Sequence, residues 1–145
     1  MPEMTGSGIW LGLDVGTRDL GVAVGNELTG RARPLRTLAM LPEPQLWRAL
    51  DALVGEWQPQ GIVVGLPLTR DGGEQPMTAR ARSFAGRVQE RYRRPVVQQD
   101  ERGSTQVARR QFAAERAAGN ARRKHAVEID AHAAAVILEN YLGTS

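Results

Sequence analysis

Apolar positions along this chain change their spacing in step with its turn residues, and that rhythm predicts short strands first and helices after them. Ile9–Leu13 alternates weakly and ends in Asp14-Val15-Gly16-Thr17, a strand running into a turn. Leu20–Val24 is a second short apolar segment. Gly12–Arg18, between the two cores, is too short for a helix, so the pair is expected to form an antiparallel hairpin. Pro34–Met40 alternates again and adds a third strand through the polar Asn26–Arg33 connection. From Pro44 the period lengthens. Leu46, Trp47, Leu50, Leu53, Val54 and Trp57 fall at helical spacing, and Pro59-Gln60-Gly61 ends the stretch.

The continuous apolar run Gly61–Leu66 has the character of a strand buried on both faces. An arginine-rich helix is predicted over Pro76–Arg93, and a short strand over Pro95–Val97. A further helix is predicted over Thr105–Ala117 with Ser104 as its N-cap. A basic loop Gly119–His125 leads to an alanine-rich final helix, Val127–Leu142, closed by Gly143. The order βββαβαβαα describes an α/β protein: one mixed five-stranded sheet, antiparallel at its start and parallel where strand and helix alternate, flanked by helices. The order of strands within the sheet is not contained in the pattern.

No repeat or linker divides the 145 residues, which make a single domain spanning 1–145. There is no cysteine, so disulfides, thiolate zinc sites and cysteine nucleophiles are excluded. The longest apolar run, Ala133–Leu138, is far short of the roughly 20 residues that span a membrane. With no basic, apolar-cored leader, a cytoplasmic location is expected.

Charge divides the chain more sharply than hydropathy does. The net +3 is the sum of −3 over residues 1–77, +9 over 78–125 and −3 over 126–145. Of the 19 cations only Lys124 is not an arginine, the better bidentate ligand for phosphate. A solvated helix face with ordinary ion pairs is one reading of this block. A polyanionic partner is the other, and Arg80, Arg87, Arg91, Arg122, Arg123 and Lys124 are then its expected phosphate contacts.

Three carboxylates sit beside structural punctuation. Asp14 lies where the first strand meets the Gly16 turn, Glu101 just after the last strand, and Asp130 in the first turns of the final helix. Val127, Ala131, Ala134, Ala135 and Leu138 form one apolar stripe on that helix, and Asp130 falls on it. A carboxylate facing a sheet is costly unless it is paired or holds a cation. Each acid also has a bland reading: Asp14 as a turn former, Glu101 as a partner of Arg102, and Asp130 as a partner of Arg123 or Lys124. Together they suit hard divalent ions such as Mg²⁺ or Mn²⁺. A pair of such ions about 3.5–4 Å apart can activate water and stabilise the leaving oxygen of a phosphodiester.

Four blocks carry a family resemblance. They are Leu11-Gly12-Leu13-Asp14-Val15-Gly16-Thr17-Arg18 with Gly21-Val22-Ala23-Val24; Ile62–Leu68 with Asp71-Gly72; Asp100-Glu101-Arg102 with Ser104-Thr105; and Ile129-Asp130 with Ala133-Ala134 and Ile137-Leu138. In order, over nearly the whole chain, they resemble the YqgF (RuvX) family. The resemblance implies a ribonuclease H-like fold, kinship with Holliday-junction resolvases and a nuclease that matures the 5′ end of pre-16S rRNA. It implies Asp14, Glu101 and Asp130 as catalytic, metal-binding carboxylates. Gly103 departs from the bulkier apolar residue usual in the family, which bears on how firmly the Glu101 loop is held.

Other residues give weaker signals. Arg18, beside the Asp14 turn, is a candidate substrate contact, while Ser104 and Thr105 are helix caps that could also hold a phosphate. Trp10, Trp47 and Trp57 are expected to pack in the core or at its rim. The partner expected is structured RNA, with four-way DNA junctions as the alternative and a non-catalytic binding module as a remote one. Lys124 stands in no GxxxxGK[ST] loop, so a phosphate-loop nucleotide site is excluded.

Overall fold

In the computed structural model, residues 8–69, 71–100 and 129–143 are described. The five strands are β1 (Ile9–Val15), β2 (Asp19–Asn26), β3 (Arg31–Ala39), β4 (Gly61–Leu66) and β5 (Val96–Asp100). The three helices are α1 (Glu43–Trp57), α2 (Pro76–Tyr92) and α3 (Ile129–Gly143). The strands form one sheet in the order β3-β2-β1-β4-β5. β1, β2 and β3 pair antiparallel, while β4 and β5 join β1 in parallel. The predicted mixed five-stranded sheet is therefore present. The helix expected over 105–117 and the basic loop 119–125 lie outside the described residues.

Element boundaries differ from the sequence reading in instructive ways. β2 is longer than Leu20–Val24 because backbone partners on both sides carry the ladder through Gly21 and Gly25, which offer no hydrophobic signal. β3 begins at Arg31, ahead of the Pro34 expected to open it. Pro34 is tolerated inside because β3 is an edge strand and the register shifts opposite Val22 and Ala23. Gly143 is the last described residue of α3 rather than a stop beyond it.

α1 and α2 cover one face of the sheet. Leu11, Leu13, Val15, Leu20, Val22 and Val24 point into that layer and meet Leu46, Trp47, Leu50, Phe84 and Val88. A capping box starts α2: Gln75 N–H donates to Thr78 Oγ1 at 3.0 Å, and the fully buried Thr78 hydroxyl donates to the Pro67 carbonyl. α3 covers the other face. Here Trp10, Ala23 and Val63 meet Ala134, Ile137, Leu138 and Leu142. Trp10 and Trp47 are buried and Trp57 is half-buried, as expected of core and rim packing. No helix among the described residues is long and apolar enough to cross a membrane.

Candidate nuclease site

Alternation along β1 sends Trp10, Gly12 and Asp14 to the α3 face. Trp10 lies against Tyr141 of α3 with ring centroids 5.1 Å apart. A β-carbon on Gly12 would come within 2.9 Å of the Ala134 carbonyl and of Leu138. Asp14 is the next residue on this face, half-buried and directly opposite Gly21 of β2. Paired residues share a face and have Cα atoms about 4.5–5.5 Å apart.

Gly21 in turn lies beneath α3. A β-carbon there would stand 2.0 Å from the Asp130 main-chain oxygen and 2.9 Å from the Ala131 nitrogen. No side chain fits, so only glycine lets the first turn of α3 descend onto the sheet. The Asp130 main chain thus rests on the glycine that pairs with Asp14, a residue 116 positions away in sequence.

Asp130 is half-buried, and desolvation pushes its carboxyl pKa up. The charge of Asp19 pushes in the same direction. Asp19 opens β2 two residues before Gly21, and so belongs to the same sheet face. Sequence reasoning missed it. The signal was the alternation Asp19-Gly21-Ala23-Gly25, a row of small residues on one face headed by an acid.

These acids gather where β1 ends, β2 begins and α3 starts. Ligands in open α/β sheets bind outside the carboxyl ends of the parallel strands, and this is that end. β5 also finishes here, at Asp100, which pairs with Leu66 and shares its face, the one covered by α1 and α2. Glu101, the residue after it, lies outside the described residues, as do Ser104, Thr105, Arg122, Arg123 and Lys124. Among the described residues no three acidic or histidine side chains converge closely enough to hold an ion by themselves. The donor set is carboxylate oxygen, the chemistry of a hard divalent cation, and the Gly21 cradle keeps β-carbons out of the space between the two acids. His132 is half-buried two residues past Asp130.

The described arginines divide into two kinds. Arg18 is exposed in the β1–β2 turn, where its carbonyl accepts the Met40 N–H at 2.8 Å. The neighbouring Thr17 hydroxyl reaches Met77 Sδ at 3.8 Å, which sets the start of α2 against that turn. Arg80, one turn further along α2, is exposed and lines a cleft of about 290 Å³ with Ser83, Val15 and Met40. Arg87 lines the same cleft but, like Arg91, is engaged with a carboxylate. Arg87 donates to Glu43 at 2.7 and 3.5 Å, and Arg91 to Asp51 at 2.8 and 2.7 Å. Both guanidinium carbons stand 5.1 Å from the Trp47 ring centroid. Hydrogen bonds from these arginines hold the carboxyls of Glu43 and Asp51 below their usual range. They clamp α2 to α1.

Comparison with known proteins gives the geometry a context. A family model described as "RuvX: Holliday junction resolvase" matches residues 8–144. A protein of Xylella fastidiosa (strain M23) named "Putative pre-16S rRNA nuclease" is 48% identical, over 98% of this chain and 94% of its own length. A protein of the same name from Xanthomonas oryzae pv. oryzae (strain PXO99A) is 47% identical over the same shares. Among solved structures, T. thermophilus RuvC in complex with Holliday junction substrate superposes with a TM-score of 0.55 at 19% identity, covering 94% of this chain and 97% of that one. Fowlpox virus resolvase with Holliday junction DNA gives 0.57 at 8% identity, again over 94% and 97%. These neighbours make the fold ribonuclease H-like.

Proposed function

This chain belongs to the RuvX family, and from that premise we propose that it is a divalent-metal-dependent nuclease acting in the 5′ maturation of pre-16S rRNA. The observation that supports the reading is the seating of the Asp130 main chain on Gly21, the cross-strand partner of Asp14, at the carboxyl end of the parallel strands. Family membership supplies the reaction class, and the names of the relatives supply the substrate. A cytoplasmic setting fits such a substrate. Four-way DNA junctions are the second reading, favoured by the family's description.

Asp14, on a rigid central strand, and Asp130, on the helix above it, are proposed to hold Mg²⁺ or Mn²⁺, with Glu101 as the third carboxylate and two ions in all. When bound, such ions supply Lewis-acid stabilisation of the phosphodiester transition state and lower the pKa of water. Asp14, at the end of the central strand, would be the ligand shared by the ions. Desolvated, negatively charged surroundings make Asp130 a poor site for an unneutralised charge and a strong one for a cation. No histidine or serine nucleophile is needed.

Arg18, in the β1–β2 turn, and Arg80, on α2, both exposed, are proposed to hold substrate phosphates, together with Ser104, Thr105, Arg122, Arg123 and Lys124. Arg87 and Arg91 can reach phosphate only by exchanging a carboxylate partner.

The test offers pre-16S rRNA, single-stranded RNA and a four-way junction with Mg²⁺, Mn²⁺ or chelator. Cleavage is expected to need the metal. Asp14→Asn, Glu101→Gln and Asp130→Asn should each lower it by orders of magnitude while binding persists. Cleavage that survives chelator, or a folded Asp14→Asn protein cutting at the parent rate, overturns the mechanism.

A further inference from the structure

The outward positions of the edge strand β3 are arginines, although residues 1–77 as a whole are net acidic. Arg31, Arg33 and Arg36 are all exposed, and among the described residues none of them forms an ion pair. Their register partners are Asn26, Val24 and Val22. The last two belong to the α1–α2 layer, so the arginines line that face of the sheet edge. Arg36 lies opposite Val22, on the other face of the sheet from Gly21 and the carboxylates; Arg31 lies about 17 Å further along the strand.

At that far end the row borders a groove of about 350 Å³, lined by Ile9, Val24, Arg31, Arg33 and Trp57. Arg33 stands 5.4 Å over the Trp57 ring. An apolar hollow and a cation stacked on an aromatic ring are what a nucleobase exploits, and adjacent arginines are what its backbone exploits. The volume is at the small end for ligand sites, enough for one base-sized group.

We propose that this edge is a second nucleic-acid contact, distinct from the arginines of α2. Phosphates of a single strand lie along Arg36, Arg33 and Arg31, on the sheet face turned away from the carboxylates, and one base enters the groove beside Trp57. The ordinary alternative is that edge-strand cations only keep sheets from pairing with one another. That alternative explains three charges. It does not explain the groove or the stacking of Arg33 on Trp57.

The proposal rests on the nuclease reading for its ligand, and binding separates the two. The full-length Asp14→Asn protein is titrated with fluorescein-labelled single-stranded RNA at several salt concentrations, while cleavage by the parent protein is followed in parallel. Replacing all three arginines (Arg31→Gln, Arg33→Gln, Arg36→Gln) should lower affinity about tenfold or more. It should also make the log–log salt slope shallower by roughly 2, at about 0.7 per phosphate contact. Trp57→Phe, which leaves a smaller ring beside the groove, should weaken binding roughly fivefold with the slope unchanged. If the triple variant fails to fold, Arg31→Gln alone should still reduce the slope by about 0.7. Affinity and slope equal to the parent's in the arginine variant, or unchanged affinity in Trp57→Phe, overturns the proposal and leaves the nuclease reading standing. An arginine variant that binds RNA normally but self-associates assigns the row to edge protection. A parent protein that neither binds nor cleaves nucleic acid overturns both.

Discussion

The Asp130 carbonyl rests on Gly21 so closely that a β-carbon at that position would lie 2.0 Å from it. Asp14 is the cross-strand partner of the same glycine, so one missing side chain lets the backbone carrying Asp130 settle beside the strand carrying Asp14. The obstruction is main chain, which cannot swing aside as a flexible side chain would.

Gly21→Ala is therefore expected to lift the first turn of α3 and to destabilise the protein by about 1–3 kcal/mol or more, as overpacking does. Thermal or denaturant unfolding reads the loss, and Mn²⁺ titration reads the accompanying loss of affinity. Gly55→Ala is the control. It lies in α1 with open space around the added methyl, so stability should rise by roughly 0.5–1 kcal/mol with metal affinity unchanged.

The raised pKa of Asp130 has a definite sign in the stability profile. Between the usual 3.8 and the higher folded value, the native state binds more protons than the unfolded one. Stability without metal should thus fall as pH rises through that window, and the penalty should persist above it. Asp130→Asn should remove this part of the slope and melt higher than the parent at neutral pH in chelator. Added Mn²⁺ should then stabilise the parent and much less the variant. Melting curves against pH, with and without metal, check both halves.

Two arginines of α2 should separate in their effects. Arg80→Gln is expected to reduce the salt slope of nucleic-acid binding by about 0.7–0.9 and leave the melting temperature alone. Arg87→Gln should do the reverse, because its guanidinium is bound to Glu43 and stacked on Trp47. A salt slope changed by Arg87→Gln and not by Arg80→Gln would reverse the assignment.

Asp51 accepts from both Arg91 and the Tyr92 hydroxyl, the latter at 2.6 Å, and its folded pKa lies below the usual 3.8. Its contribution is present above the unfolded value and lost as pH falls through the folded one. Asp51→Asn should cost about 0.2–1 kcal/mol at neutral pH, the range for exposed pairs. The gap between variant and parent should close in acid, which chemical denaturation at two pH values will show.

Much of this molecule is legible from local pattern. The hairpin, the helix over Leu46–Trp57 and the buried strand Gly61–Leu66 follow from spacing and turn residues, because pleat and helix repeat within a few residues. Asp14 and Asp130 stood out for the same reason, one at a strand end and the other on an apolar stripe. What spacing could not supply is which distant segments meet. The order β3-β2-β1-β4-β5, the seating of Asp130 on Gly21 and the entry of Asp19 into that neighbourhood all depend on how α3 crosses the sheet. Likewise Arg87 and Arg91 read as free cations in sequence, yet their carboxylate partners stand 44 and 40 residues away. Charge is a property of a residue, whereas its availability is a property of the neighbours that packing brings to it.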